Sequence, residues 1–334
     1  MARGPGTGEG IAHGGDLDAA RRLFPQAPEP WLDLSTGINP VPYPCPALDA
    51  SAFQRLPSAA DLDALRAAAA EAYGVGDLER IVAAPGTQIL IETLPRLQPR
   101  GRVAVLGPTY AEHAAAWTRA GHAVATVPGL AAARDADVVV VVNPNNPDGR
   151  TWEAGTLRAL ASDLAGRGGL LVVDEAFADL EPLETLGASL GPGLVVLRSF
   201  GKTYGLAGIR LGFALGEPGR AAALAEALGP WAVSGPALAI GRTALSDASW
   251  RREAAIARAA DAARLDRMIL RTGGTPIGGT CLFRTADFPD APGLYDRLGA
   301  AGIYVRRFAE APARLRFGLP PDKAAWCRLS RILR

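Results

Sequence analysis

Between residues 80 and 197, apolar runs of four or five residues alternate with stretches whose apolar positions recur at helical spacing. The short runs (80–84, 102–106, 123–127, 138–142, 170–173 and 194–197) are expected to be strands. They are continuous in Val, Leu and Ala rather than alternately apolar and polar, which predicts strands covered on both faces. Residues 88–97, 111–120 and 153–165 read as helices between them. Strands separated by helices imply right-handed crossovers and a mainly parallel sheet. Upstream, 16–24 and 61–73 read as helices, the second opened by an acidic first turn, with a Pro-rich connection through Pro46 between them. Beyond Gly216 the pattern changes to long Ala/Arg-rich helices (220–228, 250–271), then to short strand candidates at 280–284, 303–306 and 315–317. The fold class expected is therefore α/β. Residues 46–216 form a large domain with a mainly parallel sheet, and 217–334 a smaller α+β domain. Residues 1–45 are expected to pack with the small domain and over the active site. The opening MARGPGTGEG carries four glycines and reads as mobile or draped on the surface.

Composition narrows the function classes. A chain of 334 residues is long enough for two cores, and 49% hydrophobic against 21% charged residues excludes a disordered chain. A net charge of +1 predicts neither a nucleic-acid partner nor a membrane surface. The longest clean apolar run, Val138 to Val142, falls far short of the roughly 18 residues a membrane span needs. No apolar segment suited to a signal peptide opens the chain, so a soluble, cytoplasmic protein is expected. Cys45, Cys281 and Cys327 are odd in number and lack CxxC spacing, which predicts neither a disulfide framework nor a zinc site. His13, His113 and His122 have no metal-site company in sequence, so no metal is expected.

Lysine usage draws attention to one position. Lys202 and Lys323 are the only lysines among 35 basic residues. Gly201-Lys202-Thr203 does not complete a phosphate loop, because the required earlier glycine is Val196. What remains is a surface lysine, or an amine nucleophile able to form a Schiff base with a carbonyl, which arginine cannot do. In a parallel sheet, ligands gather beyond the carboxyl ends of the strands. Asp174 ends an apolar strand, where it either caps the next turn or pairs with a buried cation such as a pyridinium. Pro85-Gly86-Thr87-Gln88 opens a helix whose free amides suit a phosphate. Tyr110, also after a strand, is either core or a stacking surface.

These residues come together in a resemblance. SFGKTYGLAGIRLG is similar to the lysine segment of fold-type I pyridoxal-phosphate enzymes, the aspartate aminotransferase superfamily. NPNNPDG and DEAF match its other signatures in the same order. The resemblance covers nearly the whole chain and implies pyridoxal 5'-phosphate as cofactor, bound covalently through Lys202. It implies that Asp174 pairs with the ring nitrogen, Asn146 with the ring hydroxyl, and Tyr110 with the ring face. Ser199 and Arg210 would hold the phosphate with the amides near Gly86 and Thr87. It further implies a homodimer with its sites at the subunit interface. Three positions depart from the pattern. Phe177 replaces a tyrosine that contacts the ring hydroxyl, Gly201 replaces a Ser or Thr, and Asp148 replaces the usual Thr.

Two subfamilies compete, the histidinol-phosphate aminotransferases and the threonine-phosphate decarboxylases of cobalamin biosynthesis. His13-Gly14-Gly15 resembles the HGG start of the decarboxylases, although His13 read alone is equally a surface histidine. Ser35-Thr36-Gly37-Ile38-Asn39-Pro40 is similar to their S-x-N-I-N-P motif, with Gly37 in place of Asn. The resemblance then implies a small phosphorylated amino-acid substrate, held by His13, Gly14, Asn39, Arg306 and Arg316. Arg316 is expected on the carboxylate and Arg306 on the phosphate. A non-catalytic regulator would carry a fused DNA-binding module, and none is read in the sequence. A nucleotide-binding protein would leave Lys202, Asp174 and Asn146 without a joint explanation.

Overall fold

Alternate residues of one strand enter two different cores: Val138 and Val140 pack on one side of a sheet, Val139 and Val141 on the other. That double burial is why the run is valine throughout, and all five residues of the strand are closed to solvent. The computed structural model describes residues 13–333, so the expectation for the first ten residues lies outside the described residues. Twelve strands occur there, β1 (Leu32–Leu34), β2 (Ile81–Ala84), β3 (Arg102–Leu106), β4 (Ala123–Val127), β5 (Val138–Val142), β6 (Leu170–Asp174), β7 (Leu194–Ser199), β8 (Gly212–Leu215), β9 (Thr275–Thr280), β10 (Phe283–Asp287), β11 (Ile303–Arg307) and β12 (Arg314–Gly318).

Seven of them form one sheet in the order β2-β8-β7-β6-β5-β3-β4. β3 to β7 run parallel, and only β8 is antiparallel to its neighbours β2 and β7. Helices such as Ala111–Arg119 and Ala154–Ala165 provide the crossovers. The edge strand β4 is largely exposed, unlike the strands within the sheet. The remaining five strands form a second sheet, β1-β11-β12-β10-β9, over its own apolar core. In it β1 pairs in parallel with β11, which fastens the chain around residues 32–34 to this sheet.

The structure departs from expectation at particular places. The candidate strand at 280–284 is the corner of a hairpin: β9 ends at Thr280, Cys281 and Leu282 turn, and β10 begins at Phe283. β1 and β8, of three and four residues, were not anticipated. The helices Gly235–Ser246 and Ala291–Ala300 were not anticipated. The helix expected from residue 61 starts at Ala59, because Ser58 caps it in a reciprocal box with Asp61.

Candidate active site

The segments leaving the carboxyl ends of β2, β3, β5, β6 and β7 converge on a cavity of about 350 Å³. Gly86 and Thr87 follow β2, Tyr110 follows β3 and Asn146 follows β5. Asp174 and Ser199 end β6 and β7, and Lys202 lies in the single helical turn Phe200–Thr203. Arg210 comes from the loop before β8, Arg316 from β12, and His13 and Gly14 from the N-terminal side. Twelve of the thirteen site residues expected from sequence border this cavity or the smaller one beside it.

Asn39 is the exception. Its amide donates to the carbonyl of Thr203 at 2.9 Å, and its backbone N–H to the carbonyl of Lys202 at 2.9 Å. Its Oδ1 accepts from Val41 N–H and Arg258. Both polar atoms of this buried side chain are therefore used within the protein, the amide nitrogen in tying its segment to the lysine turn, and Asn39 does not line the cavity.

Asp174 is fixed by two contacts. Its Oδ2 lies 2.9 Å from Nε2 of His113, and its Oδ1 accepts from the N–H of Ala176 at 3.0 Å. Burial pushes its pKa up, but the hydrogen bond and charge of His113, then the charge of Lys202, outweigh this and hold it below the ordinary carboxylate value. The amine of Lys202 is 3.5 Å from Oγ of Ser199 and 5.1 Å from the ring centre of Phe177. Burial lowers its pKa, the Asp174 charge opposes, and Arg316 and Arg210 lower it further. Arg316 donates through Nη1 to Oδ1 of Asn146 and through Nη2 to the carbonyl of Ser35 at 2.8 Å. Its Nε is buried without a partner among the described residues. Burial and the neighbouring Arg306 bring its pKa down to about 10.

A different network fixes the main chain behind the lysine turn. Arg198 pairs with Glu175 at 2.5 Å and with Asp179, which also accepts from Thr203 Oγ1 at 2.9 Å. All three charged groups are buried. Sequence reasoning missed this network, together with His113 and Ser35. His113 sits in the first turn of a helix beginning at the carboxyl end of β3, and that position, rather than any motif, is the signal that could have found it.

The cavity fits a phosphate-bearing aromatic group. Gly86 has φ +88°, and a Cβ there would stand 2.5 Å from Nη2 of Arg210. A Cβ on Gly212 would stand 2.6 Å from the backbone nitrogen of Thr87. Gly86 thus lets a guanidinium lie directly against main chain, and Gly212 lets β8 lie directly against the turn that carries Thr87. Arg210 itself has φ +54°, which costs a non-glycine residue about 1 kcal/mol and marks the turn that aims it. An ionised Asp174 would suit a ring nitrogen and the amine of Lys202 a carbonyl, and Tyr110 lines the same cavity wall. Gly37 packs the opposite side: a Cβ there would be 2.8 Å from Phe283 and 2.9 Å from Phe177.

Comparison with known proteins places this geometry. The family described as aminotransferase class I and II matches residues 27–323. The chain is 47% identical to a threonine-phosphate decarboxylase of Pseudomonas aeruginosa over 328 residues, 97% of both chains. It is 45% identical to one from Sinorhizobium sp over 334 residues, again 97% of both. Among solved structures it resembles a histidinol-phosphate aminotransferase from Sinorhizobium meliloti in complex with pyridoxal-5'-phosphate. That likeness has a TM-score of 0.81 and 24% identity, covering 95% of this chain and 94% of that one.

Proposed function

The chain belongs to the aminotransferase class I and II family, and from that premise we propose that it is a pyridoxal-phosphate-dependent decarboxylase of O-phospho-L-threonine. The product is (R)-1-amino-2-propanol O-phosphate, for cobalamin biosynthesis. Near-full-length likeness to two threonine-phosphate decarboxylases carries the choice of reaction. When bound, the cofactor supplies an electron sink for the pair left at Cα as carbon dioxide departs.

The chain's own residues supply the rest. Lys202, its amine made less basic by burial, would hold the cofactor's carbonyl carbon and afterwards stand by as a proton donor at Cα. Asp174, kept ionised by His113, would hold a proton on the ring nitrogen. Because Arg316 occupies Oδ1 of Asn146, the amide Nδ2 is the atom left to donate to a ring hydroxyl. Arg210, Ser199 and the N–H groups around Gly86 and Thr87 would hold the cofactor phosphate. Arg316 would take the substrate carboxylate, with its orphaned Nε and depressed pKa both relieved by an anion. His13, Gly14 and Arg306 border the adjoining cavity of about 120 Å³, which suits the substrate phosphate. Anchoring both ends of the substrate fixes which Cα bond stands perpendicular to the ring, and that torsion selects decarboxylation over transamination.

A homodimer is part of the same reading. Phe53, Leu56 and Trp231 expose 69%, 67% and 60% of their surface, and a second copy of the chain would cover them. The test of function is incubation with pyridoxal phosphate and O-phospho-L-threonine alone. Carbon dioxide and aminopropanol phosphate are expected. Turnover only of histidinol phosphate with 2-oxoglutarate would replace this reading by an aminotransferase.

A further inference from the structure

Glu112 is a buried carboxylate at the rim of the site that none of the roles above uses. Its two oxygens are divided between two parts of the molecule. Oε2 accepts from Nε2 of Gln88 at 3.3 Å and from Nη2 of Arg119 at 3.3 Å. Gln88 in turn accepts from the hydroxyl of Tyr110 at 3.1 Å, so this oxygen is anchored to the frame that carries the cavity wall. Oε1 reaches the other way, to Nε2 of His13 at 2.9 Å.

His13 needs such a holder. Its side chain is 47% exposed, and it stands near the N-terminal end of the described chain. The segment behind it is pinned at one point, where Gly15 N–H donates to Oγ of Ser35 at 2.7 Å. Gly14 must be glycine for that approach, since a Cβ would fall 2.3 Å from the carbonyl oxygen of Ser35. Pinning the backbone leaves the imidazole free to rotate about χ1 and χ2, and an exposed ring pays entropy to face a ligand. A carboxylate that accepts from Nε2–H removes that freedom. It also commits Nε2–H to Glu112, so that in the imidazolium the second donor, Nδ1–H, is the one left for an anion.

We propose that Glu112 is a positioning residue for the substrate: it holds His13 at the junction of the two cavities through Nε2–H, so that the imidazolium donates Nδ1–H to the substrate phosphate. The proposal rests on the phosphorylated substrate argued above. It joins the wall residue Tyr110, through Gln88 and Glu112, to the residue that meets the far end of the substrate.

The test is a double-mutant cycle with Glu112→Ala and His13→Ala, read as KM and kcat for O-phospho-L-threonine and as the dissociation constant of inorganic phosphate by calorimetry on the holoenzyme. Glu112→Ala is expected to raise KM and weaken phosphate binding about tenfold, with kcat within about twofold of wild type. In the His13→Ala background the same change is expected to do almost nothing. Glu112→Gln keeps an acceptor oxygen and should restore KM to within about threefold of wild type. It also serves as the variant of record if the alanine protein does not fold. Equal losses with and without His13, a fall in kcat at unchanged KM, or no rescue by glutamine would overturn the proposal. If the wild-type chain does not turn over O-phospho-L-threonine, the functional reading fails by itself. The phosphate-binding cycle then still decides the role of Glu112.

Discussion

Nε2 of His113 stands 2.9 Å from Oδ2 of Asp174, with both side chains closed to solvent. The pKa of the carboxylate is held below the ordinary value, so it is ionised and accepts while the histidine donates. The pair keeps a negative charge deep in the protein where the cofactor's ring nitrogen is expected, and His113→Ala should leave that charge one partner short. The loss of a hydrogen bond to a charged group is worth about 1.5–3 kcal/mol, or roughly tenfold to a hundredfold in kcat/KM. Steady-state kinetics on His113→Ala and Asp174→Asn checks this, the second losing most activity because an amide cannot hold the ring proton.

The same depressed pKa has a consequence for stability. In the unfolded chain Asp174 takes up a proton near pH 3.9, whereas in the fold it does so at lower pH. Its contribution is therefore complete above about pH 4 and is lost as the pH falls further. Asp174→Asn should flatten the acid limb of a plot of Tm against pH while leaving the limb near neutrality unchanged.

Lys202→Ala should abolish turnover and the visible absorption of the bound cofactor while the protein stays folded. Lys323, at the start of the helix Lys323–Ile332, should be dispensable. An active Lys202→Ala protein beside a dead Lys323→Ala protein would remove the assignment.

Gly86→Ala places a Cβ 2.5 Å from the Arg210 guanidinium at a φ of +88°. Cofactor affinity should fall about tenfold or more, since the backbone must leave the left-handed region and the arginine must retreat. Fluorescence titration of the apoprotein with pyridoxal phosphate measures it.

Arg306→Ala should cost about tenfold to a few hundredfold in kcat/KM for O-phospho-L-threonine, with His13→Ala milder. Activity on unphosphorylated threonine should be nearly indifferent to both changes. Equal losses on the two substrates would assign these residues to the fold or the cofactor.

Arg198→Ala should destabilise the protein by about 3–5 kcal/mol in urea unfolding, because Glu175 and Asp179 would remain buried without their cation.

The parallel sheet was legible because strands buried on both faces need unbroken apolar runs, and β5 and β6 have them. The candidate site was legible wherever a residue ends such a strand or lies in the loop after it, as Asp174 and Asn146 do. What escaped was set by packing between distant segments. The apolar residues of 280–284, Cys281, Leu282 and Phe283, run through the turn itself, so pattern alone joined the end of β9 to the start of β10. His113 and Glu112 lie inside an ordinary helical pattern, and only the fold reveals that the first turn of that helix faces the site. Asn39 stands in a motif that suggests ligand contact, yet its amide is consumed by the carbonyl of Thr203.

Gly37 carries a consequence for how this lineage can change. The glycine stands where the motif it resembles has asparagine, and any side chain there meets Phe177 on one flank and Phe283 on the other. Asparagine at this position is therefore not reached in one mutational step. The aromatic rings must give way first, and Phe283 belongs to β10, paired with β9 and β12. The order of substitutions is constrained like a ratchet: any larger residue at 37 must wait for changes in two other segments.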